Sequence, residues 1–274
     1  MKLGVSIANF GVSSEPRDYI KLAKAVENAG WDGFFLWDHL NWRGNLPNYD
    51  TWTLLSAIAA NTEKVLIGPL VTALPRRRPQ KVAREALTID HLSRGRFVLG
   101  VGLGWPPKHE FRAFGEPFDD TTRAKMLDEA LEVITGLWSG EQFSFQGRYY
   151  QVDNVSYQPT PYNKNGIPIW NGGTWPKKGP FRRAARYDGI VPAGANTKAK
   201  FRDMMSFVDK YRTKSGSFDW VCSTGYISNK KRETFVNEFN GVGATWYIES
   251  WGTQAYEKQI SRVKRGPPLI RSLE

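Results

Sequence analysis

Strand-like and helix-like segments alternate from one end of this 274-residue chain to the other, and that alternation most restricts the folds open to it. Lys2–Asn9 is β-rich, Ser14 is a candidate N-cap, and Pro16–Ala29 carries Ile20, Ala23 and Val26 at helical spacing before Gly30 ends the run. Gly33–Trp37 with Tyr49–Asn61, Val65–Val71 with Pro79–Leu92, and Phe97–Val101 with Thr121–Trp138 repeat the unit. Over residues 139–166 the rhythm breaks, and Phe143, Phe145 and the Gly147–Tyr150 step predict a small β excursion. Pro168–Trp170, Gly189–Val191, Trp220–Ile227 and Ala244–Glu249 then alternate with helices over Phe181–Tyr187, Lys198–Lys214, Lys230–Phe239 and Gln254–Arg265. Strands joined by crossover helices must pair in parallel, because each helix returns the chain to the same end of the sheet. The expectation is an α/β fold: a single (β/α)8 TIM-barrel domain over 1–274, with a small insertion between the fourth helix and the fifth strand. An open doubly wound sheet is the alternative.

In either architecture, binding residues gather at the C-terminal strand ends. There the sequence places Asn9-Phe10-Gly11, Trp37-Asp38-His39, Leu70-Val71-Thr72, Gly102-Leu103-Gly104-Trp105, Asn171-Gly172-Gly173-Thr174, Pro192-Ala193-Gly194 and Glu249-Ser250-Trp251. This is a mouth of glycines and aromatics with few carboxylates. The dinucleotide fingerprint needs glycine at its first, third and sixth positions; counted from Gly100 or Gly102 the sixth falls on Trp105 or Pro107, so it fails. A glycosidase needs two facing carboxylates; Glu249 is one candidate, but the fourth strand ends in glycine and Glu110 lies eight residues beyond it. A metal hydrolase would have to be built from His39, His91 and His109, and His91 closes a helix away from the mouth. A flat flavin-like ring suits these residues better: apolar backbone of the third strand on one face, Gly102–Trp105 beside it, and Asn171–Thr174 ahead of a helix to take a phosphate.

The formal net charge of +11 is spread over short runs such as Arg76–Arg78 and Lys230–Arg232, with no basic recognition helix, which argues against nucleic acid. Val65–Leu74, the longest nearly apolar run, is about half the ~20 residues a membrane span needs. The opening MKLGVSIANF turns polar too early for a secretory signal, and the lone Cys222 excludes an internal disulfide. The protein is therefore expected to be soluble and cytoplasmic.

Taken together, Trp37-Asp38-His39, Ile67–Thr72, Leu92–Gly102, Glu110 with Phe114-Gly115, Gly147–Tyr150, Pro168–Gly173 and Asp188-Gly189 resemble the bacterial luciferase-like flavin- and F420-dependent oxidoreductases. The resemblance is clear over about Met1–Gly194 and continues by pattern to the end. It implies a barrel that binds FMN or the deazaflavin coenzyme F420 and acts on a small organic substrate, with homodimers frequent. Hydride transfer and O2-dependent monooxygenation are both known chemistries of such proteins, and a barrel that binds flavin without turnover is a further alternative. The resemblance places Asp38, His39, Pro69, Leu70, Thr72, Gly102, Gly104, Trp105, Asn171, Gly172, Gly173 and Thr174 around the coenzyme, and a non-proline cis peptide at Pro69–Leu70. Trp105 stands where the family's sugar-phosphate dehydrogenases carry a glutamate, so their acid chemistry does not transfer.

For catalysis the sequence offers His39 as hydrogen-bond or proton donor and Glu249 as a carboxylate requiring an arginine or substrate partner. Trp42, Trp105 and Trp251 are candidate walls of a substrate cavity, and Arg76–Arg78 offer cations to the acidic tail of F420.

Overall fold

The computed structural model describes residues 1–13, 15–42, 46–225 and 227–270. Its strands are β1 (Lys2–Ile7), β2 (Gly33–Leu36), β3 (Leu66–Pro69), β4 (Thr72–Ala73), β5 (Leu99–Gly102), β6 (Phe143–Gln146), β7 (Gln151–Val155), β8 (Ile169–Thr174), β9 (Gly189–Ala193), β10 (Asp219–Thr224) and β11 (Trp246–Gly252). Its helices are α1 (Pro16–Asn28), α2 (Thr51–Asn61), α3 (Pro79–Leu92), α4 (Pro107–Glu110), α5 (Asp120–Trp138), α6 (Lys178–Ala184), α7 (Lys198–Tyr211), α8 (Asn229–Asn240) and α9 (Tyr256–Val263).

Nine strands form one sheet in the order β3-β2-β1-β11-β10-β9-β8-β5-β4, and its pairings are parallel. The two ends of that order, β3 and β4, are halves of one stave separated by Leu70 and Val71. A parallel bridge from Ile67 to Phe97 joins β3 to the approach of β5, so the sheet closes on itself as the expected parallel α/β barrel. A non-proline cis peptide was expected here at Pro69–Leu70; it lies one bond on, at Leu70–Val71, where the stave divides. The ladder explains the offset, because Pro69 still pairs with Leu36 and Leu70 N–H still donates to Leu36 O at 2.7 Å, so the stave breaks only after Leu70.

Side chains alternate across each strand. In β11 this sends Trp246 and Ile248 inward, where they meet Phe35, Val98, Trp170 and Val221 and fill the barrel. Phe35, Trp170 and Trp246 pack with ring centroids 5.4–6.0 Å apart, in the tilted geometries aromatic quadrupoles favour. Outward-facing apolar residues of the strands, such as Val5 and Ile7 of β1, form the larger core together with buried helix residues such as Leu22 and Val26 of α1 and Leu131 and Ile134 of α5. Each such side chain stabilises the fold by about 1.5–3 kcal/mol on burial.

Local chemistry fixes the element ends. Asp50 and Asp119 cap α2 and α5 by accepting from Thr53 N at 2.7 Å and Thr122 N at 2.8 Å. Pro79 opens α3 as expected. Ser14, expected to cap α1, lies outside the described residues; Glu15 precedes that helix without a side-chain cap bond. The strand expected over Trp220–Ile227 ends at Thr224, and Tyr226 within that range lies outside the described residues. The segment over 139–166 holds the antiparallel pair β6–β7, whose turn is tied to α5 by Glu129 accepting from the N–H groups of Arg148, Tyr149 and Tyr150.

Candidate active site at the barrel mouth

A cavity of about 1090 Å³ opens at the C-terminal strand ends. Its lining includes Trp37, Asp38, His39 and Trp42 after β2, Leu70 and Val71 in the broken stave, and Gly102–Trp105 after β5. Across from these lie Gly172–Thr174 of β8 and Lys177 after it, Val191–Ala193 of β9, and Asp120, Lys125 and Asp128 of α5. A smaller cleft of about 410 Å³, between Arg84, His91 and Pro159, lies on the outside of α3 away from the strand ends.

His39 is the best-defined functional group of this mouth. Asn9, at the end of β1, holds its backbone: Asn9 Oδ1 accepts from His39 N at 3.1 Å and Asn9 Nδ2 donates to His39 O at 2.9 Å. The imidazole Nδ1 lies 3.2 Å from Oε1 of Glu110, which is fully buried at the end of α4. Glu110 also accepts from Leu40 N at 2.9 Å, Asn41 N at 3.2 Å and Arg76 Nη1 at 2.8 Å. Burial pushes the Glu110 carboxyl upward, but the His39 hydrogen bond, the Leu40 N–H and the Arg76 and His39 charges outweigh it and hold the group below the usual glutamate range. An ionised carboxylate only accepts, so the proton of this contact sits on Nδ1 and Nε2 is the ring nitrogen left for exchange.

Asp38 takes a different role. Thr72 Oγ1 donates to its Oδ2, Arg76 Nη2 lies 3.5 Å from Oδ1, and Arg77 Nη1 lies 3.7 Å from Oδ2. Arg76 additionally donates to Asp38 O at 2.5 Å, and Arg77 to Glu85 at 2.7 Å. Arg76 and Arg77 are therefore committed to internal ion pairs and do not form the free cationic rim expected of them. Their packing in the turn after β4, beneath the β2 loop, is the physical reason.

The glycines of the β5 exit serve packing as well as access. A Cβ on Gly102 would sit 2.7 Å from Val71 Cγ2, and one on Gly104, whose φ is +83°, would meet Ala73 and Phe111. Arg123 of α5 donates to the carbonyls of Leu103 at 2.8 Å and Gly104 at 2.7 Å while lying over Phe111, which fixes the loop. From this loop Trp105 projects, 64% exposed, with its ring 4.8 Å from that of Trp42; Trp42 in turn lies 4.6 Å from His39.

Of the residues expected at the site, Asp38, His39, Leu70, Gly102, Gly104, Trp105, Gly172, Gly173 and Thr174 line the cavity. Thr72 stands behind it as the partner of Asp38, and Pro69 belongs to the β2–β3 ladder. Asn171 is buried, and strand alternation turns it to the side opposite Trp170, away from the barrel centre. Asn171–Thr174 do not open a helix: they continue β8, paired with Ile190–Ala193, and α6 starts only at Lys178. Glu249 does not line the mouth. The alternation that points Trp246 and Ile248 inward turns it outward, where it is fully buried between Arg232 of α8, at 3.2 Å, and Arg262 of α9. Trp251 is also buried, packed edge-on against Trp31 at 6.0 Å, and forms no cavity wall. Sequence reasoning missed Asn9, Arg76 and Arg123 as supports and Glu110 as the partner of His39.

Among the described residues, no group of three or more His, Cys, Asp or Glu side chains is placed to hold a metal ion. No helix among them is long and apolar enough to cross a membrane.

Comparison with known proteins agrees with this geometry. An uncharacterized protein of Mycobacterium tuberculosis (strain ATCC 25618 / H37Rv) is 32% identical over 217 residues, 72% of this chain and 72% of its own length. The F420-dependent glucose-6-phosphate dehydrogenase of Nakamurella multipartita is 30% identical over 207 residues, 69% of this chain but 56% of its own length, so the match spans little more than half of that relative. Two solved structures share the fold. An F420-dependent secondary alcohol dehydrogenase in complex with an F420-acetone adduct superposes with a TM-score of 0.83 at 18% identity, covering 99% of each chain. The coenzyme F420 dependent tetrahydromethanopterin reductase of Methanopyrus kandleri gives 0.76 at 18% identity, covering 97% of this chain and 98% of its own. The family profile described as luciferase-like monooxygenase matches residues 1–272, and the chain belongs to that family.

Proposed function

We propose that this protein is a flavin- or deazaflavin-dependent oxidoreductase that uses F420, or FMN in its place, to transfer hydride to or from a small organic substrate at the barrel mouth. The observation that carries the reading is the His39–Glu110–Arg76 arrangement beside a cavity whose floor is apolar and partly free of side chains. Bound there, the coenzyme ring supplies two-electron chemistry as a hydride donor or acceptor.

The residues present fit such a group. Leu70 and Val71 form an apolar shelf against which Gly102 and Gly172 pack without side chains, and Thr174, Lys177 and Lys125 supply polar and cationic partners on the opposite side for an anionic extension. Glu110 holds Nδ1 of His39, so Nε2 gives a proton to a substrate oxygen or takes one from it while hydride moves at carbon. Trp42 and Trp105 form an aromatic wall on this side. The homology to a relative named for F420 over more than two thirds of this chain favours F420. We read the protein as cytoplasmic and its partners as small molecules.

Parallel fluorescence titrations with F420 and FMN test the reading. Micromolar binding of at least one, with turnover that His39→Ala reduces on the order of 10²-fold or more, is expected. Binding of neither would remove it, and oxygen uptake with reduced FMN would redirect it to monooxygenation.

A further inference from the structure

The mouth is divided by chemistry. On the α5 and β8 side it carries the exposed Lys125, Lys177 and Thr174. On the β2 side aromatic carbon surrounds one imidazole, with the paired Asp38 and Arg76 also in the lining: Trp42 touches both His39 and Trp105, and Trp105 is 64% exposed at the rim. An indole held that open against a second indole is apolar surface that the described residues leave uncovered. The charges behind it are committed, Asp38 to Thr72, Arg76 and Arg77, and Glu110 to His39, Arg76 and two backbone N–H groups. Among the described residues that line the cavity on this side, the only cation, Arg76, is already paired, and seating a phosphate unpaired against two tryptophans would be costly. Arg43 lies outside the described residues.

We infer that the substrate is an uncharged, largely apolar molecule, packed against Trp42 and Trp105 with a single carbonyl or hydroxyl oxygen turned to His39, and that Trp105 is the specificity-determining residue. The inference rests on the hydride-transfer reading above. In the reducing direction His39 Nε2 would give a proton to the carbonyl oxygen while the hydride, which a reduced coenzyme held at the mouth would supply, reaches the carbonyl carbon. The C=O π bond is replaced by C–H and O–H, the coenzyme leaves two electrons poorer, and His39 recovers its proton from water. Alcohol oxidation runs the same steps backwards.

Acetophenone and glucose 6-phosphate, one apolar and one phosphorylated, are the probes. Saturation-transfer NMR on the protein, with and without coenzyme, reads binding without turnover, and steady-state kinetics reads KM against kcat. Acetophenone is expected to receive saturation from the parent protein and glucose 6-phosphate is not. Trp105→Ala is expected to abolish most of that transfer and, wherever acetophenone is turned over, to raise its KM by about tenfold with kcat within about threefold; Trp105→Phe restores most of the loss. Preference for glucose 6-phosphate, absence of acetophenone binding, or a Trp105→Ala protein that matches the parent would each overturn the inference. Failure of the parent protein to bind F420 or FMN would instead remove the functional reading beneath it.

Discussion

His39 acts through atoms it does not own. Its backbone is held by Asn9 and its ring by Glu110, and Glu110 is held in turn by Arg76 and two N–H groups. Glu110→Gln keeps the shape but replaces one acceptor oxygen with an N–H2 donor, which must face another donor in this cluster. We expect kcat to fall and the ring tautomer to lose its preference, with the change read from the pH profile and from imidazole 15N shifts. Stability should fall by about 3 kcal/mol at pH 7, since the buried Arg76 loses a charged partner. The sign with pH follows from the direction of the Glu110 shift. Its folded carboxyl lies below the ordinary value of 4.5, so its contribution is complete above that value and is lost as pH falls through the folded pKa. Urea midpoints of parent and variant should therefore converge as the pH is lowered from 7 towards about 3. A gap that stays constant would show that the ionised carboxylate is not what stabilises the cluster. His39 was legible in the sequence because Trp37-Asp38-His39 ends a strand. Glu110 was not legible as its partner: it lies 71 residues away, in a four-residue helix too short to give a periodic signal.

At the scale of elements, the joints carry much of the specificity. Arg96, just before β5, donates to Ala59 O at 3.2 Å and Thr62 O at 2.6 Å at the end of α2, and to Val65 O at 2.7 Å on the way into β3. One guanidinium thus closes a helix and sets the start of the stave that later breaks. Glu27 at the end of α1 complements it by accepting from the N–H groups of Glu63, Lys64 and Val65. Arg96→Met preserves the aliphatic stem but leaves these carbonyls without their donor, and should cost about 2–3 kcal/mol in chemical denaturation. Coenzyme affinity of the folded fraction should be unchanged, because the contacts lie at the opposite ends of the strands from the mouth. The alternation of strands and helices was readable because period 2 and period 3.6 leave distinct patterns. The broken third stave was not readable from periodicity, since Val65–Val71 reads as a continuous apolar run; only the family resemblance pointed to a cis peptide there. Glu249 shows a signal that was present and unused: in Trp246-Tyr247-Ile248-Glu249 the inward placement of the first and third residues puts the fourth among the helices.

For the molecule as a whole, the cavity is a seam between two halves of the barrel. Its walls come from β2 and the broken stave on one side and from β8 and β9 on the other, with α5 between, so a ligand that fills it touches elements far apart in sequence. Binding to such a seam stabilises the folded state alone, and at about 100 times Kd it contributes about 2.7 kcal/mol by mass action. For a chain of this size that corresponds to a rise of about 5–10 °C in the unfolding midpoint. The charge of the molecule adds a second dependence. With a formal net charge of +11 and Lys125 and Lys177 exposed at the rim, an acidic coenzyme gains from the protein field, and salt removes that gain. Scanning calorimetry with F420 and with FMN, at salt from about 50 to 500 mM, should show a shift for the coenzyme the protein uses. The shift should shrink as salt rises, more steeply for F420 with its acidic tail than for FMN. A midpoint that neither ligand moves at any salt would mean that the seam is not where the coenzyme sits, whatever the resemblance of the fold.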